Sequence, residues 1–95
     1  LPPLDGLLLA TTLHFHTPPT QASLLRQFQA SLKPSGRLIL IEYNTNRGNR
    51  WVPYPFTFER WQEMATDAGF GKTTQLATRP SRFLGEIYSA VSLRS

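Results

Sequence analysis

Leu32-Lys33-Pro34-Ser35-Gly36-Arg37-Leu38-Ile39-Leu40-Ile41-Glu42 contains a helix end, a turn and a buried strand. Pro34 stops the preceding helix, because the residue before a proline is pushed out of the α region. Gly36 is expected to supply the backbone freedom for the reversal. Leu38 to Ile41 is apolar on both faces, as in parallel sheets sandwiched between helices. The strand ends in a carboxylate, Glu42, followed by Tyr43 and Asn44. Ligands of open α/β sheets sit just beyond the carboxyl ends of the strands. This one stretch therefore predicts an architecture and the edge of it where chemistry occurs.

Upstream, Asp5-Gly6 is a turn-like entry and Leu7 to Ala10 a short apolar run suited to a buried strand. His14-Phe15-His16 follows at its expected carboxyl end, and Thr17-Pro18-Pro19-Thr20 is a breaker. Thr20 is expected to cap a helix running through Lys33. Leu24, Leu25, Phe28 and Leu32 recur at helical spacing and give that helix one apolar face. Strand, helix and strand in this order predict a parallel pair, which needs such a crossover.

Downstream, Asn44 to Pro55 is a long polar and aromatic loop, and long loops in compact domains are usually functional or mobile. Thr57 caps a second helix with Glu59 in its first turn. Trp61, Met64, Ala65 and Ala68 form its buried stripe. Gly69 is a left-handed terminator, and Phe70 beyond it folds back onto the helix. Lys72 to Thr78 and Ile87 to Leu93 are further strands.

The chain has 95 residues, a net charge of +4 and no cysteine. That length is one small domain or part of one, here taken as the single partial domain 1–95. Its start at Leu1, directly before an apolar run, reads as a cut through a larger protein. Without cysteine there is neither a disulfide framework nor a thiolate metal site, which fits a cytoplasmic protein. The apolar runs are far shorter than the roughly 20 residues of a membrane helix. The basic residues are scattered and include only Lys33 and Lys72 as lysines, which argues against nucleic acid as the reason for the charge.

The ordered set resembles a known family. It comprises a strand, a His-bearing turn, a helix, Leu-Lys-Pro-Ser-Gly-Arg, an apolar strand with Glu, a helix ending Ala68-Gly69-Phe70 and two strands. It is similar to the C-terminal half of a class I S-adenosylmethionine-dependent methyltransferase. In that family the turn is commonly Leu-Lys/Arg-Pro-Gly-Gly, so Ser35 stands in place of the first glycine. The resemblance implies a partial Rossmann-like α/β sheet: two parallel strands joined by a crossover helix, then a helix and an antiparallel terminal pair. The last strand of that pair is inserted next to the parallel strands. It also implies S-adenosylmethionine as cofactor of the full-length protein and a small-molecule methyl acceptor. The family's glycine-rich cofactor loop is absent, as is the acidic residue that binds the cofactor ribose. These residues alone are therefore expected to be inactive.

By the resemblance, Thr11, Thr12 and Leu13 face the cofactor, with His14 next to the acceptor. His14 is a candidate general base, its ordinary pKa lying near neutrality; the competing reading is a hydrogen-bonded structural histidine. His16 is a second pocket candidate, but His-x-His without a third ligand is weak as a metal site. Glu42, Tyr43 and Asn44 lie on the ligand edge, where a carboxylate could orient an acceptor. Trp51, Tyr54 and Phe56, stiffened by Pro53 and Pro55, form either an aromatic lid or a satellite core. Arg79 and Arg82, with Arg47 and Arg50, could hold an anionic group on the acceptor or lie as solvated loop charge. Two other classes compete: half of an NAD-type Rossmann oxidoreductase, and a basic nucleic-acid-binding module. Removing neighbouring strands would also leave Leu7 to Ala10 as an exposed edge, so the isolated chain is expected to self-associate.

Overall fold

The computed structural model describes residues 3–80 and 85–94. Strand β1 (Leu4–Ala10) leads through a 3-10 turn (Leu13–Phe15) into helix α1 (Pro18–Ser31) and strand β2 (Leu32–Tyr43). Helix α2 (Phe58–Asp67) follows a long loop, and strands β3 (Phe70–Pro80) and β4 (Glu86–Arg94) complete the sheet. The strand order is β1-β2-β4-β3. β1 and β2 run parallel, while β4 is antiparallel to both β2 and β3. This is the expected topology, with the last strand placed between the parallel pair and its predecessor.

Register puts Leu38, Leu40 and Glu42 of β2 on the same face as Ser92, Ala90 and Tyr88 of β4. All six are buried. Leu25 of α1 and Trp61, Met64 and Ala65 of α2 close over that face to make the core. Trp61 Nε1 donates to Ser92 Oγ at 3.2 Å, and Tyr88 OH donates to the Phe56 carbonyl at 3.0 Å. Both buried aromatics thus satisfy their polar ends, as buried Trp and Tyr usually do. Burial also pushes the Tyr88 hydroxyl pKa far up, so it stays a donor.

Both helices lie on this one face. The opposite face carries Leu8, Ile39 and Leu76 exposed, with Ile41, Val91 and Leu93 only half-buried. The expected sandwich between helix layers is therefore two layers here. The apolar residues on the second face of β2 lack helix cover among the described residues.

Helix α1 begins earlier than expected. Thr17 is the N-cap, and Pro18 and Pro19 occupy the first helical positions. There a missing N–H costs nothing, because first-turn amides have no intrahelical acceptor anyway. Thr20 therefore lies inside the helix, and its Oγ1 accepts from Thr17 Oγ1 at 3.1 Å. The helix ends at Ser31, not Lys33. Thr57 caps α2 as expected, accepting from the Arg60 amide at 3.2 Å. Gly69 closes α2 at φ +98°, and Phe70 is buried against it in the core.

The Pro34-Ser35-Gly36 turn differs from expectation in which residue bears the unusual backbone. Ser35 takes φ +64°. Gly36 instead supplies room, since a Cβ there would come within 2.8 Å of the Lys33 carbonyl. The turn forms a bulge in β2: Leu4 pairs with Leu32, whereas Gly6 already pairs with Arg37.

Candidate active site

Parallel pairing carries the tips of β1 and β2 to one rim, where the Thr11 amide donates to the Ile41 carbonyl at 2.8 Å. Beyond that bond Thr11 turns the chain at φ +49°. This left-handed conformation is rare for a β-branched residue. It lets the chain fold back at once into the 3-10 turn that carries His14. His14 Nδ1 then lies 2.6 Å from Glu42 Oε1. Both side chains are almost wholly buried. The sequence placed both on the ligand edge; the structure joins them.

Glu42 Oε1 also accepts from the Tyr43 amide at 3.2 Å. Its Oε2 is buried without a hydrogen-bond partner among the described residues. Burial raises the Glu42 pKa above its ordinary value, and His14, by hydrogen bond and charge, pulls it back only in part. With the carboxylate ionised, Nδ1 of His14 must carry the proton it donates, since a carboxylate only accepts. That leaves Nε2 with the lone pair, and this nitrogen makes no hydrogen bond among the described residues.

A cavity of about 500 Å3 opens at this rim, lined by Thr11, His14, Phe15, Tyr43, Asn49, Trp51 and Val52. The rings of Phe15 and Tyr43 flank His14, with centroids at 4.3 and 5.8 Å. Trp51 stands at the mouth, 73% exposed, with the Arg50 guanidinium 5.6 Å from its ring centroid. Asn49 shapes this wall: its Oδ1 accepts from the amides of Trp51 at 2.9 Å and Val52 at 2.8 Å. Such Asx turns let a side chain mimic a backbone turn.

Thr11, His14, Tyr43 and Trp51 of the candidate residues therefore share one cavity. Thr12 is exposed beside it, and the Leu13 side chain belongs to the core. His16 is exposed. Asn44 has both polar side-chain atoms engaged in the frame. Nδ2 donates to Glu86 Oε1 at 2.8 Å, and Oδ1 accepts from the Phe58 amide at 3.0 Å. Tyr54 lies on the loop's other side, in a separate cleft of about 290 Å3 between the two helices. Phe56 is core, stacked on Trp61 at 5.9 Å. Arg79 pairs with Ile87, which pairs with Tyr43, so it shares their row across the sheet, two strands away from β2. Arg82 lies outside the described residues. No group of three His, Cys, Asp or Glu residues is placed to hold a metal among the described residues.

Sequence reasoning missed Phe15, Asn49 and Val52. Phe15 was visible only as the residue between two histidines, and Asn49 as one of several loop asparagines. Their place depends on how the loop closes.

No protein-family model matches this sequence, and no curated protein does. Solved structures match it closely in shape. Human N-acetylserotonin methyltransferase, in complex with S-adenosylmethionine, superposes with a TM-score of 0.75 at 18% identity, over 100% of this chain and 30% of that one. The Burkholderia thailandensis 1,6-didemethyltoxoflavin-N1-methyltransferase, with 1,6-didemethyltoxoflavin and S-adenosylhomocysteine bound, gives 0.70 at 22%, over 96% and 44%. An O-methyltransferase family 2 protein of Planctomyces limnophilus, in complex with apigenin, gives 0.69 at 18%, over 100% and 32%. The chain thus spans less than half the length of each. In its parallel pair, crossover helix and inserted antiparallel strand the chain shares the partial Rossmann-like fold seen in these methyltransferase structures.

Proposed function

We propose that this chain is the acceptor-side part of an S-adenosylmethionine-dependent methyltransferase that methylates a hydroxyl group on a small molecule. The observation that carries the reading is the buried 2.6 Å bond between His14 Nδ1 and Glu42 Oε1 at the edge of the cavity. A hydroxyl must lose a proton as its oxygen attacks carbon, so a positioned base assists this acceptor more than it would an amine with a free lone pair. The similarity to methyltransferases holding apigenin and 1,6-didemethyltoxoflavin supports a small-molecule acceptor.

The residues fit one side of the cofactor only. Thr11, which lines the cavity, with Thr12 and the Leu13 backbone beside it, would contact the cofactor. The sequence has no glycine-rich loop to receive the rest. Bound S-adenosylmethionine supplies an electrophilic methyl group on a sulfonium sulfur. His14 accepts the acceptor's proton at Nε2, and Glu42 fixes the ring and stabilises the cation that results. Phe15, Tyr43 and Trp51 supply apolar walls for a flat acceptor. Tyr54, His16, Asn44 and Arg79 stand outside these contacts, and Arg79, two strands away from β2, would meet only a distant anionic group.

The 95-residue chain is inactive alone in this reading, for want of the loop that holds the cofactor. No helix among the described residues is long and apolar enough to cross a membrane, and a cytoplasmic setting completes the proposal. The test is methyl transfer by the full-length protein to a panel of hydroxylated aromatics. His14→Gln is expected to lower kcat by about 10²–10⁴-fold, the usual share of general base catalysis, with S-adenosylmethionine affinity kept. Binding of NAD without binding of S-adenosylmethionine would overturn the assignment.

A further inference from the structure

Gln21 lies in the first turn of α1, on a helix whose exposed positions are largely polar, yet it is only 3% exposed. Burying an amide is costly unless it is hydrogen-bonded, and its Nε2 is bonded three times. It donates to the carbonyls of Leu13 at 3.2 Å, His16 at 2.9 Å and Tyr54 at 3.0 Å. An amide nitrogen carries two protons, so one of them is shared between two acceptors.

The acceptors belong to different segments. Leu13, the first residue of the 3-10 turn, and His16, its C-cap, lie on either side of His14. Tyr54 belongs to the loop that also carries Asn49, Trp51 and Val52 of the cavity wall. The Tyr54 amide in turn donates to the His14 carbonyl at 2.9 Å. One side chain therefore bridges the turn that bears the base, the loop that forms the wall, and the start of the crossover helix.

We propose that Gln21 is a positioning residue for His14, setting the imidazole against Glu42 and holding the cavity wall to the same frame. This rests on the reading of His14 as the base. Without the three donated bonds, turn and loop would keep the Tyr54 amide to His14 carbonyl bond to each other but would lose the side chain that fixes both to α1. The His14–Glu42 distance would then be set by the turn alone.

The test is nitrogen-15 NMR of the His14 ring in the full-length protein. The wild-type ring is expected to show a single Nδ1–H tautomer with a slowly exchanging, far-downfield proton. Gln21→Leu keeps the volume and removes the donors. It is expected to speed exchange of that proton at least tenfold and to mix the tautomers. Leu25→Ala removes core volume but none of the three donated bonds, and should leave the tautomer intact in the folded fraction. An unchanged His14 signal in folded Gln21→Leu would overturn the role.

Should Gln21→Leu fail to fold, wild-type hydrogen exchange decides. The Tyr54 amide and the His14 ring proton should exchange together, and separate rates would overturn the role. A wild-type ring without the Nδ1–H tautomer would instead count against His14 as the base, a distinguishable failure.

Discussion

Ser35→Gly should stabilise this protein, and the size of the gain follows from one dihedral angle. Ser35 sits at φ +64°, is exposed, and makes no side-chain hydrogen bond among the described residues. Left-handed backbone costs an L-residue roughly 1–2 kcal/mol through contact of Cβ with the following carbonyl. Glycine avoids this but loses about 0.5–1 kcal/mol more backbone entropy on folding. Taking the middle of each range, the net gain is about 0.5–1 kcal/mol. A domain of this size moves its melting midpoint by about 4–8 °C per kcal/mol, so the variant should melt about 2–8 °C higher. Urea unfolding should show the same gain with an unchanged slope. Both proteins must be compared at one concentration, because association makes the midpoint concentration-dependent. Ser35→Asn should fall between serine and glycine, since asparagine tolerates this region, and Ser35→Val should fall below wild type. A glycine variant no more stable than wild type, or a valine variant equal to it, would show that the turn is not left-handed in solution. Gly36→Ala tests the neighbouring claim: its Cβ meets the Lys33 carbonyl at 2.8 Å, so it should destabilise although its φ is ordinary.

Glu42→Gln should remove a pH dependence. The raised Glu42 pKa means that the folded state binds this proton more tightly than the unfolded chain. Wild-type stability should therefore fall as pH climbs from the ordinary carboxylate range through the raised folded value. The variant should lack that fall, gaining on wild type as pH rises; parallel stability curves from pH 4 to pH 8 would refute the assignment. Leu8→Lys addresses association. Leu8 is 62% exposed on the outer face of β1, whose outer edge has no strand partner among the described residues, and edge lysines discourage strand pairing. Sedimentation should show wild type forming oligomers and the variant shifting to monomer; a wild type monomeric at every concentration would end the expectation. Gly48→Ala should open the loop, because the new Cβ would land on the Pro53 carbonyl. A destabilisation of about 1–3 kcal/mol and a changed Trp51 emission are expected, and neither should occur if the loop is already open in solution.

The strand-helix-strand unit was legible because three local signals agreed: the Pro34 stop, the period of Leu24, Leu25, Phe28 and Leu32, and the continuous apolar run after it. The α2 signals of Thr57, the Trp61 stripe and Gly69 were equally local. What failed was finer. Two prolines before Thr20 looked like a barrier, but the first helical turn is where proline does no harm, so the helix began at Pro18. Gly36 looked like the flexible residue because glycine usually is; tight packing against Lys33 claimed it for space, and Ser35 took the strain. The ligand edge was legible from strand polarity, and His14 and Glu42 were both named. That they touch, and that Gln21 ties the turn to a loop 33 residues away, depends on loop closure that no periodicity encodes. The bare outer face was hidden for a related reason. Alternating burial and burial on both sides give the same apolar run when the second face is apolar but uncovered.

The meeting of His14 and Glu42 follows from lengths. β1 has 7 residues, about 23 Å at the rise of a strand. α1 has 14 residues, about 21 Å at the rise of a helix. The helix therefore returns the chain almost exactly one strand length, to the level where β1 began, and β2 starts there beside it. Leu4 pairs with Leu32 at the start and Ala10 with Ile41 at the end. The next residues on each strand, Thr11 and Glu42, must then emerge at the same height, within the strand spacing of about 4.8 Å. The left-handed step at Thr11 turns the chain back over the end of β2 and brings His14 across that gap. A crossover one turn longer or shorter would shift β2 by about 5.4 Å and separate the two groups beyond hydrogen-bond reach. Among the features of this site, the His14–Glu42 pair is thus the one fixed by the crossover itself, which is why it is complete in a chain whose sequence has no glycine-rich loop.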